Sequence, residues 1–348
     1  MPFPAPPPAA SVPTTARAQA ETAVATAISA EHISGLSLAV VEDGKLSWSA
    51  GWGYADLEGY VPFSAGTVWR LGSISKSLTA VAAMQLVERG KLDLDAPIQN
   101  YCPAFPKKPQ PITSRQLLGH LSGIRHYKKD ENFNSTRHYD SINASLDAFK
   151  DDPLLHPPGT YTYSTYGYVV LGCVIEGASG RKFTDYLREN VTGPAGMDRT
   201  RADDLRPVVA RRARGYQVLE SGELGNSDLA DTSNKIPGGG LVSTAEDLAR
   251  FAIALQNHVI LPPETFAQMQ VPMKMSDGKD SPYFGWTIGD KAGDRMLTHT
   301  GSQQGTSTAL LMVPSRGFAV ALISNTESVG MGKLAREIAD TLLPSRPR

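Results

Sequence analysis

The stretch LGSISKSLTA, residues 71–80, sets Ser73, Ser75, Lys76 and Ser77 within five positions, directly ahead of an alanine-rich run. Residues three apart on a helix share a face. Ser73 and Lys76 meet that condition, while Ser75 and Ser77 flank the lysine and point elsewhere. A hydroxyl is a weak nucleophile and needs a base beside it. An ammonium cannot be that base, but burial disfavours the charged form and lowers a lysine pKa. Ser73 as nucleophile beside a buried, neutral Lys76 is one reading of this spacing. A helix start with capping serines and a surface lysine is the other, and Ser-x-x-Lys alone favours that plainer reading.

Two further stretches carry chemistry. PGTYTYSTYGYVVLG places Tyr163, Ser164 and Thr165 after a Pro-Pro-Gly turn and before an apolar helix. A phenol with a pKa near 10 acts as a base only where cations lower it, as a lysine ammonium would. Packing among Tyr161, Tyr166 and Tyr168 accounts for Tyr163 equally well. THTGSQQGTS closes a strand with His299, Thr300, Gly301 and Ser302. The small Gly301 lets a substrate approach the strand edge. The backbone N–H of Ser302, paired with that of Ser73, can then donate to an oxyanion. An ordinary edge-strand histidine is the plainer reading of His299.

These residues need elements to hold them. Thr14 to about Ser29 is rich in helix formers. Two strands flank Asp43-Gly44, a strong hairpin turn. Leu71 to Arg89 is apolar around most of its circumference (Leu78, Val81, Ala82, Ala83, Leu86, Val87), so it reads as a central, buried helix that Gly90 stops. NASLDAFKDD and GYVVLGCVIEGASG read as helices, and STAEDLARFAIALQN opens with Ser243 and Glu246 at capping-box spacing. The strands DRMLTHTG, TSTALLMV and GFAVALISN come next, with a turn at Pro314 to Gly317, and MGKLAREIADTLL closes as an amphipathic helix. The expected fold is α+β: one antiparallel sheet of about five strands, flanked by terminal helices, with a mainly helical insertion. The expected division is a Pro/Ala-rich tether over 1–13, a sheet-bearing region over 14–75 and 240–348, and an inserted helical region over 76–239, with the active site between the two regions.

Composition narrows the function. The 348 residues suffice for one large domain or two closely packed ones. A net charge of −1 gives no reason to expect nucleic acid or an anionic membrane as partner. No apolar run approaches the roughly 18 residues of a membrane span. The seven histidines are scattered, there is no H-E-x-x-H or P-loop, and the lack of a G-x-S-x-G elbow weighs against an α/β-hydrolase. An acyl-serine route needs neither metal nor cofactor, so none is expected. His120 reads as a structural hydrogen-bonding residue. Cys102 lies in a Pro-rich loop and Cys173 in an apolar helix; they read as two separate thiols rather than a disulfide. The N-terminal MPFPAPPPAASVPTT lacks the basic and apolar regions of a signal peptide. It fits the start of a mature chain whose signal has been removed, which would place the protein in a bacterial periplasm or outside the cell; otherwise it is cytoplasmic.

Taken together, Ser73-x-x-Lys76 on a buried helix, Tyr163-Ser164-Thr165 on a loop and His299-Thr300-Gly301 on a C-terminal strand resemble the serine β-lactamase and penicillin-binding protein superfamily. Within it the chain looks like the class C β-lactamase-related branch with the family VIII carboxylesterases. SISKSLT, LSGIRHYKKD and YSTYGY look most like the mitochondrial serine β-lactamase-like proteins and their bacterial relatives. The resemblance runs from about Ala20 to Leu343. It implies Ser73 as acylated nucleophile, Lys76 as its base, Tyr163 as proton shuttle, and the N–H groups of Ser73 and Ser302 as oxyanion hole. It implies substrate contacts from Thr165, His299, Thr300 and Gly301.

The departures matter. Where the family pattern has Tyr-x-Asn, Thr165 is shorter and lacks the amide donors. Where it has Lys-Thr-Gly, His299 is mostly neutral at neutral pH. Both weaken recognition of acylated amino acids bearing a free carboxylate and leave the nucleophile intact. The expectation is therefore a serine hydrolase acting on small ester, amide or peptide substrates. The alternatives are a weak β-lactamase or D-Ala carboxypeptidase and, from another class, a slowly turning-over acyl sensor or scaffold. If His299 meets a substrate carboxylate, binding should strengthen as pH falls through about 6.5.

Overall fold

A computed structural model describes residues 15–128, 133–291 and 293–343. The tether expected over 1–13 lies outside the described residues. Helix α1 (Thr15–Ala30) leads into β1 (Gly35–Glu42) and β2 (Lys45–Asp56), joined at Asp43 and Gly44. Both turn residues have positive φ, 49° and 70°, as a tight hairpin between twisted strands requires. The short β3 (Val61–Pro62) comes next, then helix α2 (Ser75–Glu88) and, much later, helix α3 (Thr165–Ser179) and helix α4 (Ala245–Gln256). The chain ends with β4 (Thr287–Lys291), β5 (Asp294–Gln303), β6 (Thr306–Val313), β7 (Phe318–Ser324) and helix α5 (Met331–Leu342).

The strands form one antiparallel sheet in the order β4-β5-β6-β7-β1-β2-β3. It has seven strands where about five were expected. The short β3 and the marginal β4 carry too little alternation to read from sequence. The two ends of the chain meet where β1 pairs with β7, Leu38 opposite Leu322. Period-two alternation divides the central strands between two cores. Leu36, Leu38 and Val40 of β1 face Val24 and Ile28 of α1 and Leu334 and Ile338 of α5. Ala39 and Val41 face the larger core, which also holds α2, α3 and α4. Strands covered on both faces are apolar on both, which is why β6 and β7 read as unbroken apolar runs.

Three local expectations change. Cys102 and Cys173 are not separate thiols but a disulfide, joining the loop after Ile98–Asn100 to the middle of α3. Their 71-residue separation is bridged by tertiary packing: Gly177, one turn along α3, lies so close to Tyr101 O that a Cβ would collide with it. The cap of α4 is Thr244, whose side chain accepts from Asp247 N, one residue after the Ser243/Glu246 pair. Ser243 is the last residue of a short strand instead, and Glu246 accepts from Ser49 Oγ at 2.7 Å. The buried helix starts later than expected, because Gly72–Ile74 form a 3₁₀ turn ahead of α2. Every residue of α2 from Ser75 to Leu86 is buried, as its all-round apolar surface demands. Among the described residues no helix is long and apolar enough to cross a membrane.

Candidate active site

Ser73 sits in the 3₁₀ turn before α2, and it is the one residue from Thr67 to Leu86 that is not buried. Its turn is tied to the sheet. Thr306 Oγ1 donates to Arg70 O at 3.0 Å, Thr308 Oγ1 donates to Leu71 O at 2.8 Å, and Leu71 N donates to Leu241 O at 2.8 Å. Gly301 of β5 makes this approach possible: a Cβ there would collide with Leu71 O and Thr308 Oγ1 and lie 3.0 Å from Ser73 N. In return a Cβ on Gly72, at φ 53°, would lie 3.0 Å from Ser302 N. The backbone nitrogens of Ser73 and Ser302 therefore meet at one junction of turn and strand.

Lys76 is fully buried one helical turn behind Ser73. Its Nζ is 3.0 Å from Ser73 Oγ, 3.1 Å from Thr165 Oγ1 and within hydrogen-bond reach of Gly238 O. No carboxylate is among those partners. Burial drives its pKa well below the ordinary lysine value, and the nearby charge of Lys235 adds to that. Ser75 and Ser77 point away, donating to Gly72 O and Gly285 O.

Tyr163 stands on the loop before α3. Ser164 fixes the loop: its Oγ donates to Arg125 O at 2.8 Å and accepts from Gly167 N at 2.9 Å, capping α3. The Tyr163 ring lies 4.8 Å from Lys76 Nζ and 4.3 Å from the His120 ring. Burial raises its phenol pKa, with the Ser73 hydroxyl pulling the other way. The expected lowering by a lysine ammonium is not found, because desolvation of the phenol outweighs it and the same burial lowers the Lys76 pKa. His120 and His126 act structurally: each Nδ1 accepts a backbone N–H, from Ser164 at 3.2 Å and Thr165 at 3.1 Å.

Three residues expected to touch substrate have other partners in the structure. Thr165 is 1 % exposed and its hydroxyl accepts from Lys76 Nζ. Thr300 faces the other side of the sheet, where its Cγ2 closes on Gly332 of α5. His299 shares the site face with Gly301 but is buried, with both ring nitrogens used. Its Nδ1–H donates to Thr300 O at 2.7 Å, which leaves Nε2 to accept from Tyr283 Oη at 2.6 Å. Desolvation first, and the field of Lys76 second, push its pKa down to about 3, far from the expected transition near 6.5.

A model of the family described as Beta-lactamase matches residues 18–343. The chain belongs to the beta-lactamase family. It is 33% identical to the mitochondrial serine beta-lactamase-like protein LACTB of Homo sapiens, over 88% of this chain and 76% of that protein. It is 29% identical to penicillin-binding protein 4* of Bacillus subtilis, over 82% of this chain and 67% of that protein. Among solved structures, the octameric penicillin-binding protein homologue from Pyrococcus abyssi has a TM-score of 0.80 at 25% identity, over 92% of this chain and 76% of that one.

Sequence reasoning passed over Lys235. It is 1 % exposed, and it lies between Thr232–Lys235, a 3₁₀ turn, and the Ile236–Gly239 turn that supplies Gly238 O to Lys76. A lysine ahead of Pro-Gly-Gly-Gly has no periodic signal. Only the packing of this turn against α2, with Thr79 Oγ1 donating to Pro237 O at 2.7 Å, brings it to the site. Among the described residues no group of three His, Cys, Asp or Glu side chains is placed to hold a metal ion.

Proposed function

We propose that the protein is a serine hydrolase that acts through an acyl-Ser73 intermediate on small ester or peptide-like substrates. The observation that carries this reading is Lys76 Nζ, buried without a carboxylate partner, 3.0 Å from the half-buried Ser73 Oγ. A neutral amine has two N–H groups and one lone pair. Gly238 O can only accept, Thr165 Oγ1 can accept the second N–H, and the lone pair is left for the Ser73 hydroxyl proton.

In the proposed cycle Ser73 Oγ bonds to the substrate carbonyl carbon while its proton passes to Lys76 Nζ. The carbonyl oxygen becomes an oxyanion held by the N–H groups of Ser73 and Ser302, a preorganised site of the kind worth ~3–4 kcal/mol per donor. The bond to the leaving group breaks, and that group takes a proton relayed from Lys76 through the Tyr163 phenol. A phenol that stays protonated at rest suits a relay better than a resting base. Water then attacks the acyl-Ser73 carbonyl, a proton returns to Ser73 Oγ, and the free acid leaves. With His299 neutral and committed to Tyr283, the strand offers no permanent cation at that position. This supports esters and neutral amides over β-lactams there.

The test is hydrolysis of a short-chain nitrophenyl ester by the wild type and by Ser73→Ala. The variant should lose more than about a thousand-fold in kcat/KM, and mass spectrometry of quenched wild type should show an acyl adduct on the Ser73 peptide. Equal turnover by both proteins would refute the nucleophile.

A further inference from the structure

Lys235 is a buried amine that the proposed cycle does not use. Its Nζ has no hydrogen-bond partner among the described residues. Two aromatic rings cover it, Phe133 at 4.8 Å and Tyr127 at 5.2 Å. The carboxylate whose field it feels, Asp203, is already held by Arg70, Arg212 and Thr232. A lone buried ammonium costs several kcal/mol unless something pairs with it. A second donor shares this fate: Gln303 Nε2, on a side chain 3 % exposed, also has no partner among the described residues.

The two side chains approach one point beside Gly239. From the point where a Cβ would stand on Gly239, Gln303 Oε1 and Lys235 Cδ are each 3.8 Å away and Gly72 C is 3.9 Å away. All three are ordinary contact distances, so a single carbon fits at that point, beside the residue that precedes Ser73. The direction is fixed by β5. Gln303 lies two residues beyond Gly301, and His299 two residues before it, on the same strand face. The His299 flank holds Tyr283 and Tyr163, where the leaving group must receive its proton. The Gln303 flank therefore takes the acyl arm.

We propose that Lys235 Nζ and Gln303 Nε2 form an anion subsite that receives a carboxylate at the far end of the substrate's acyl arm. The spacing comes from the strand: two residues span ~7 Å, which suits an acyl chain of about six carbons ending in a carboxylate. The inference rests on the acyl-Ser73 reading for its substrate, though not for its binding site. Burial holds the Lys235 pKa at about 7, so a bound carboxylate would draw a proton onto the amine and pair with it.

The test compares two nitrophenyl esters of equal chain length, the adipate monoester and the hexanoate, in the wild type and Lys235→Met. The wild type should favour the adipate monoester, and the variant should lower the adipate-to-hexanoate ratio of kcat/KM at least about tenfold, as loss of a charge-assisted hydrogen bond does. A ratio unchanged within about twofold overturns the subsite. Calorimetry of free adipate with Ser73→Ala, and with Ser73→Ala carrying Lys235→Met, separates this inference from the catalytic one. Binding to the first protein and a loss of at least about tenfold in the second support the subsite even if Ser73 is not the nucleophile. No binding to either overturns it.

Discussion

A buried lysine amine keeps its proton only where a carboxylate or several carbonyls reward the charge. Lys76 has one carbonyl and two hydroxyls, and the charge of Lys235 opposes its own. Lys76→Met keeps the length and apolar stem and removes the base. The expected result is a fall in kcat/KM of about 100- to 10,000-fold, the usual range for a general base. Thermal stability should hold or rise, because the variant no longer buries an amine. An unchanged rate would mean that Lys76 does not take the Ser73 proton. The pairing of Ser73 with Lys76 is legible in the sequence, since helical spacing alone brings them together. The protonation state is not, because it depends on Gly238 and Lys235, more than 150 residues away in the chain. The place of Thr300 is legible too, against its expected substrate contact: strand alternation sets it opposite His299 and Gly301, on the α5 face.

At the scale of elements, the site is an agreement between α2, α3 and β5, and one covalent link ties that arrangement down. The Cys102–Cys173 bond holds the loop against α3, the helix whose first residue, Thr165, bonds Lys76. Closing a loop of 71 residues restricts the unfolded chain by on the order of 4 kcal/mol. Urea unfolding with and without dithiothreitol should show a lower midpoint for the reduced protein, and the double variant Cys102→Ser/Cys173→Ser should match the reduced form. Coincident midpoints would show that the thiols are not bonded. The strong elements are legible in the sequence: the Asp43-Gly44 hairpin, the all-round apolar α2 and the three closing strands. Those that are not depend on partners distant in sequence. The disulfide needs α3 packed on the loop at Tyr101, and the edge strands need a neighbour to extend them. The cap of α4 is displaced by one residue because Ser243 is already engaged, bonding Thr200 Oγ1 at 2.7 Å.

Over the whole molecule, the sheet is completed by strands from opposite ends of the chain, so the site forms only when β5 and β7 reach β1 and the turn at Ser73. That closure buries His120 and His299 and leaves His126 half-buried beside them in one cluster. His120 is held well below its ordinary pKa, His126 at about 4 and His299 at about 3, each chiefly by desolvation and then by Lys76. Their folded values are depressed, so the unfolded chain binds more protons below about 6.5. Stability present above that pH is lost as pH falls toward the folded values. Each histidine contributes a slope that grows from about 0.7 kcal/mol per pH unit at about pH 6.5 toward a limit of about 1.4. Burial raises the carboxyl groups of Glu176 and Asp247, which take up protons in the folded state and oppose the effect at the acid end. The clean interval is therefore from about pH 6.5 to 5.5. Unfolding free energies from urea titrations should fall more steeply with pH there than between pH 8 and 7. His126→Gln should remove about one histidine's share of the slope. A slope that does not change on crossing pH 6.5 would mean that the histidine cluster is solvated in solution, and with it the Lys76 pocket whose burial lowers the amine pKa.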